Sequence, residues 1–159
     1  MNIVDLTCNG NSTLTLLLTS ILILMNRLVM DMTRMTFDIN TFDIVIDKAS
    51  MDALCVDEGD VWDPKDDVIN NVHRMCADIS RILKPNGFFL SLSFAQPHFR
   101  TKYLFGSYTN RDSNNNTNSN PCAVMKGYCK EYHWTLHHEK IMKEFGTFEF
   151  YLYNMKKGE

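Results

Sequence analysis

The 159-residue sequence predicts a single α/β domain, a mostly parallel sheet closed by a C-terminal antiparallel hairpin. Three observations predict it. Phe42, Ile44, Val45 and Ile46 form an almost unbroken apolar run that stops at Asp47-Lys48, the pattern of a strand buried on both faces. A helix, a turn and a second strand follow over residues 63–94, completing a βαβ unit with a right-handed crossover. The chain then ends in two stretches of alternating aromatic and polar residues, which read as an antiparallel pair.

Taken in order, Ile3, Val4 and Leu6 make a short first strand that runs into the polar turn Thr7-Cys8-Asn9-Gly10. Residues 13–25 (TLTLLLTSILILM) are shorter than the roughly 20 residues a bilayer requires. They follow Asp5 rather than a basic leader and are closed by Arg27, so they predict a buried helix capped by Asn11 or Ser12 and no membrane segment. Leu28, Val29 and Met30 suggest another strand, ending at Asp31. After the central strand comes a polar loop at Ala49, Ser50, Met51 and Asp52. Asp63 then suits a helix cap, with Pro64 at the first helical position and Asp66 and Asp67 in the first turn. Val68, Val72, Met75, Ile79, Ile82 and Leu83 recur by threes and fours and form one core-facing stripe. Lys84-Pro85-Asn86-Gly87 stops that helix, and residues 88–94 leave it as a strand. Gln96 to Arg100 reads as a polar and aromatic loop on the same side of the sheet as Asp47. Residues 109–121 (TNRDSNNNTNSNP) are low in complexity and predict a mobile loop. The closing strands are expected near residues 132–137 and 146–155, with Phe148, Phe150 and Leu152 on one face and Tyr151 and Tyr153 on the other.

A formal charge of −3 and a pI near 5.9 give no basic surface for phosphate backbones, which argues against nucleic-acid binding. Five cysteines without a CxxC pair suggest reduced thiols and a cytoplasmic setting. The sequons at Asn11 and Asn115 are expected by chance in an Asn-rich chain. Cys122, Cys129, His133 and His137 have a spacing unlike a zinc finger and fall in strand-like sequence, so no metal is expected. The many methionines read as core filler, and His98 as a hydrogen-bonded loop residue. The acids between Asp57 and Asp67 read as a solvated face that also suits a basic partner. In an open α/β sheet the ligand crevice lies beyond the carboxyl ends of the strands. Asp47-Lys48 is therefore a candidate site wall, and equally a solvated strand exit.

MDMTRMTF, FDIVIDKASMDAL, ISRILKPNGFFLSLSFAQPHFR and the closing WTLHH and FEFYLYNMKK resemble the class I S-adenosylmethionine-dependent methyltransferases. They are most similar to the branch that methylates lysines of elongation factor 1-alpha. The resemblance covers nearly all of residues 27–157 and implies a Rossmann-like sheet, S-adenosyl-L-methionine as cofactor and a protein lysine as substrate, with an elongation factor as partner. By the same resemblance Gly10 lies in the turn approaching the cofactor, Asp31 near the adenine amino group with Met32 beside the ring, and Asp47 and Lys48 near cofactor and substrate. Phe99 and Trp134 are candidates for apolar walls around the lysine, with core packing the favoured reading for Trp134. The interval from Gly10 to Asp31 holds one helix and one strand, so the family's usual second strand, its ribose-binding acid and the following helix are missing. A binding or regulatory module that keeps the fold without the activity is the alternative.

Overall fold

The computed structural model describes residues 2–7, 30–106, 127–141 and 149–159. Their main sheet has six strands: β1 (Ile3–Thr7), β2 (Phe42–Lys48), β5 (Leu83–Ser93), β6 (Gly127–Cys129), β7 (Trp134–Ile141) and β8 (Phe150–Lys157). Their order is β1-β2-β5-β8-β7-β6. β1 and β5 flank β2 in parallel, with Val4 opposite Val45 and Val45 opposite Phe89. β8 is antiparallel to both β5 and β7, and β6 is antiparallel to β7. Four strands, β1, β2, β5 and β7, therefore run the same way, with β8 inserted against them. This is the predicted α/β sheet with its closing hairpin, extended by the short β6.

Between β2 and β5 lie α1 (Ser50–Leu54), a small ladder of β3 (Gly59–Asp60) with β4 (Asp63–Pro64), and α2 (Asp66–Ile82). α3 (Pro97–Leu104) follows β5. The predicted stripe on α2 is buried from Val68 to Ile82 and packs against the sheet face carrying Val45, Phe89, Leu136 and Met155, while Leu83, expected to end the stripe, is buried as the first residue of β5, paired with Phe42. Burying such side chains contributes about 1.5–3 kcal/mol each. The other face of β2 is only half-buried at Ile44 and Ile46, so the run closes one face fully rather than both.

Several local expectations are corrected. α2 starts at Asp66 and not at Pro64, because Gly59 pairs with Pro64 and Lys65 N–H bonds the Glu58 carbonyl at 3.0 Å. The stretch after β2 is the helix α1 rather than a loop, entered through Ala49 in the left-handed region at φ 61°. Gln96 to Arg100 likewise opens a helix, with Pro97 at its start. The Lys84–Gly87 turn is present as a bulge inside β5: one residue separates Phe42 from Ile44, four separate their partners Leu83 and Phe88. β7 and β8 begin at Trp134 and Phe150. Of the predicted Leu28–Met30 strand only Met30 is described, and it is irregular. The apolar stretch 13–25, the loop 109–121 and Phe148 lie outside the described residues. No described helix is long and apolar enough to cross a membrane.

Candidate functional site

β1, β2 and β5 are parallel, so their carboxyl ends share one edge of the sheet. Asp47 stands there with no solvent exposure. Its Oδ1 accepts from Ser50 N–H at 2.8 Å and its Oδ2 from Ser91 Oγ at 2.7 Å. Burial pushes its carboxyl up to about 6, against the pull of those donors. Ser50 Oγ in turn donates to the Leu6 carbonyl at 2.7 Å, tying α1 to the tip of β1. Asp47 thus pins the start of α1 beneath the edge.

Lys48, next along, points to the opposite face. Pleat alternation puts it on the same face as Ile46, whose partner on β1 is Asp5. Asp5 Oδ1 is buried with no hydrogen-bond partner among the described residues. Burial raises the Asp5 carboxyl, and the Lys48 ammonium opposes the rise. Asp5 was not singled out from the sequence, because a lone acid inside a short apolar run carries no signal. Beyond Lys48, on the face of its partner Leu92, Phe94 is exposed and its ring lies 4.5 Å from that of Phe150.

The edge is braced from below. Asp52 on α1 accepts from Arg100 Nη2 at 2.6 Å, from Ser93 Oγ at 2.5 Å and from Phe94 N–H at 3.0 Å. Arg100 is buried and also donates to Cys55 Sγ at 2.9 Å. Both partners lie in the stretches FDIVIDKASMDAL and PHFR, but separate in sequence they gave no sign of pairing. Trp134 is core: fully buried, it donates Nε1–H to the Leu104 carbonyl at 2.9 Å. Phe99 instead lies beside Trp62, 5.3 Å between centroids.

Asp31 and Met32 stand in the segment leading into β2. Asp31 is exposed, and Oδ1 accepts from both Thr33 N–H and Thr33 Oγ1 at 2.8 Å. These bonds hold its carboxyl below the usual range, helped by Arg34 and Arg74. Met32 is partly buried against the core. The structure therefore brings Asp47, Lys48 and Asp5 together at one edge, and holds Asp31 by a different set of partners. Gly10 lies outside the described residues. No group of metal-ligating side chains occurs among the described residues.

Bovine EEF1A lysine methyltransferase 4 is 30% identical over 131 residues, 82% of this chain and 41% of that protein. Over that stretch the chain is similar to the EEF1A lysine methyltransferases. The mouse form of the same enzyme is 28% identical over 129 residues. Mouse eEF1A lysine and N-terminal methyltransferase is 38% identical over 78 residues, 49% of this chain and 10% of that one. The chain thus spans 41% and 40% of the length of the first two relatives. No protein-family model matches it. Among solved structures, a SAM-dependent methyltransferase from Methanosarcina mazei aligns over 81% of this chain and 65% of its own, at 11% identity and a TM-score of 0.44.

Proposed function

We propose that this chain is an S-adenosylmethionine-dependent methyltransferase that modifies a protein lysine, on a substrate resembling elongation factor 1-alpha. The observation that carries the reading is the 30% identity to bovine EEF1A lysine methyltransferase 4 across 82% of the chain. The carboxyl edge of the sheet is compatible with it. Asp5 Oδ1 is an orphaned buried acceptor, and a ligand bearing an ammonium and ribose hydroxyls offers the donors it lacks. On this reading Asp5 and Lys48 hold the cofactor at the tips of β1 and β2, with Gly10, Asp31 and Met32 completing the site and Asp47 fixing the start of α1 beneath.

S-adenosylmethionine, when bound, supplies a methyl group already activated on sulfur. The protein's task is to orient a neutral amine in line with it and to exclude water. On this reading Phe94 and Phe150, whose rings lie 4.5 Å apart, wall that approach, and apolar walls favour the deprotonated lysine. Calorimetric titration with S-adenosylhomocysteine tests the reading. Saturable binding below about 100 μM, within the range of ordinary enzyme sites, is expected. No heat at millimolar ligand overturns it and leaves a module that keeps the fold alone.

A further inference from the structure

We propose that the knuckle around Trp62, backed by His98 and Phe99 of α3, docks a lysine-rich segment of the protein substrate, a reading that rests on the substrate being a protein. The β3–β4 ladder displays Trp62 at its turn, where Asp60 Oδ1 accepts from Trp62 N–H at 2.9 Å. The indole is 48% exposed, a large apolar surface on a pinned turn rather than on a loose loop. His98 stacks beside it at 6.1 Å and 21° between planes, and Phe99 meets it edge-on at 5.3 Å. The turn lies in the connection that leaves β2, and α3 in the one that leaves β5. The patch therefore borders the edge holding Asp5 and Lys48 without sharing their side chains.

Charge selects the occupant. Asp57, Glu58, Asp60, Asp63, Asp66 and Asp67 surround the knuckle in sequence, against the single cation Lys65. That field repels nucleic acid and anionic lipid and attracts a basic peptide. The ring itself shows what it accepts: Lys102 Nζ sits 4.9 Å from the Trp62 centroid. An ammonium over an indole face is favourable by about 0.5–1 kcal/mol at exposed sites. Lys102 thus occupies the position an incoming lysine would compete for.

The test is fluorescence anisotropy with a labelled peptide of alternating lysine and glycine, on the full chain, alongside S-adenosylhomocysteine titration. Wild type is expected to bind the peptide saturably and to ignore a glutamate-glycine peptide. Trp62→Ala should weaken binding about tenfold, the usual cost of removing an aromatic anchor. Lys102→Met should tighten it about threefold by vacating the ring, which a merely structural lysine would not do. Equal affinity in Trp62→Ala, equal binding of the acidic peptide, or self-association that Trp62→Ala abolishes would overturn the proposal. Peptide binding lost with S-adenosylhomocysteine binding intact sinks the docking site alone; the reverse sinks only the methyltransferase reading.

Discussion

Arg100 Nη2 lies 2.6 Å from Asp52 Oδ1, and this pair joins the helix after β2 to the helix after β5. The Arg100 side chain is 5% exposed, so the pair is shielded from solvent. Removing one partner of such a pair leaves a buried charge without its counterion. Asp52→Ala is expected to cost about 3–5 kcal/mol in urea denaturation. Arg100→Lys should also destabilise, because an ammonium cannot reach Asp52 and Cys55 Sγ together as the planar fork does. A loss under about 1 kcal/mol for Asp52→Ala, the worth of an exposed pair, would mean the brace is not formed.

Asp47 predicts a pH dependence. Its carboxyl rises from 3.8 to about 6 because burial penalises the charged form. A raised folded value means the stabilising contribution of the protonated group is complete below about pH 4 and is lost as pH climbs through 6. That window corresponds to about 3 kcal/mol. Asn at this position keeps an acceptor for Ser50 N–H and carries no charge. The stability of Asp47→Asn relative to wild type should therefore increase between pH 4 and 6 and level off above 7, measured by urea titration at stepped pH. A difference constant across that range would contradict it.

The same residue shows what the sequence could and could not disclose. The run Phe42–Ile46 and its stop at Asp47 located the central strand, because apolar β-branched residues report burial directly. The stripe on α2 was legible for the same reason. Orientation was not: period two places Asp47 and Lys48 on opposite faces, yet which face the helices cover depends on long-range packing. The β3–β4 ladder was hidden because Asp63-Pro64 also fits a helix start, and pairing with Gly59 decided between the two. Asp5 escaped notice because its unpaired oxygen exists only once β1 lies beside β2.

Asp5 and Asp31 give separable tests of where the cofactor sits. Asp5→Asn keeps the shape of the β1 tip and removes the charge facing Lys48. It is expected to weaken S-adenosylhomocysteine binding about tenfold, the loss of a charge-assisted hydrogen bond. Asp31→Ala removes the acceptor that Thr33 uses in an exposed turn, so stability should barely change while ligand affinity falls. Unchanged affinity in Asp31→Ala would remove that turn from the site and leave the strand tips alone.

Gly87 checks the bulge. A Cβ built there stands 2.9 Å from the Lys84 carbonyl oxygen and 3.0 Å from that of Asp43, both backbone atoms that cannot swing aside. Asn86 before it adopts φ 63°, which Asn tolerates better than most residues. Gly87→Ala is expected to cost about 1–3 kcal/mol, the usual range for overpacking. Asn86→Gly should be nearly neutral. Equal effects of the two changes would mean the bulge gives way freely.

Lys157 closes the far end of α2. From β8 its Nζ donates to the Ser80 carbonyl at 2.7 Å and the Leu83 carbonyl at 2.6 Å. Helix C-termini leave carbonyls without intrahelical partners and carry partial negative charge, so a cation from the neighbouring strand satisfies both needs. Lys157→Met keeps the aliphatic stem and removes the donors, with an expected loss of about 1–2 kcal/mol. Lys156, exposed and on the opposite face of β8, is the control. Lys156→Met should leave stability unchanged, since no helix end depends on it. Hydrogen exchange localises the effect: amides in the last turn of α2 should lose protection in Lys157→Met while those of Val45 and Phe89 keep theirs, and loss spread evenly over the sheet would show that Lys157 acts on β8 rather than on the helix.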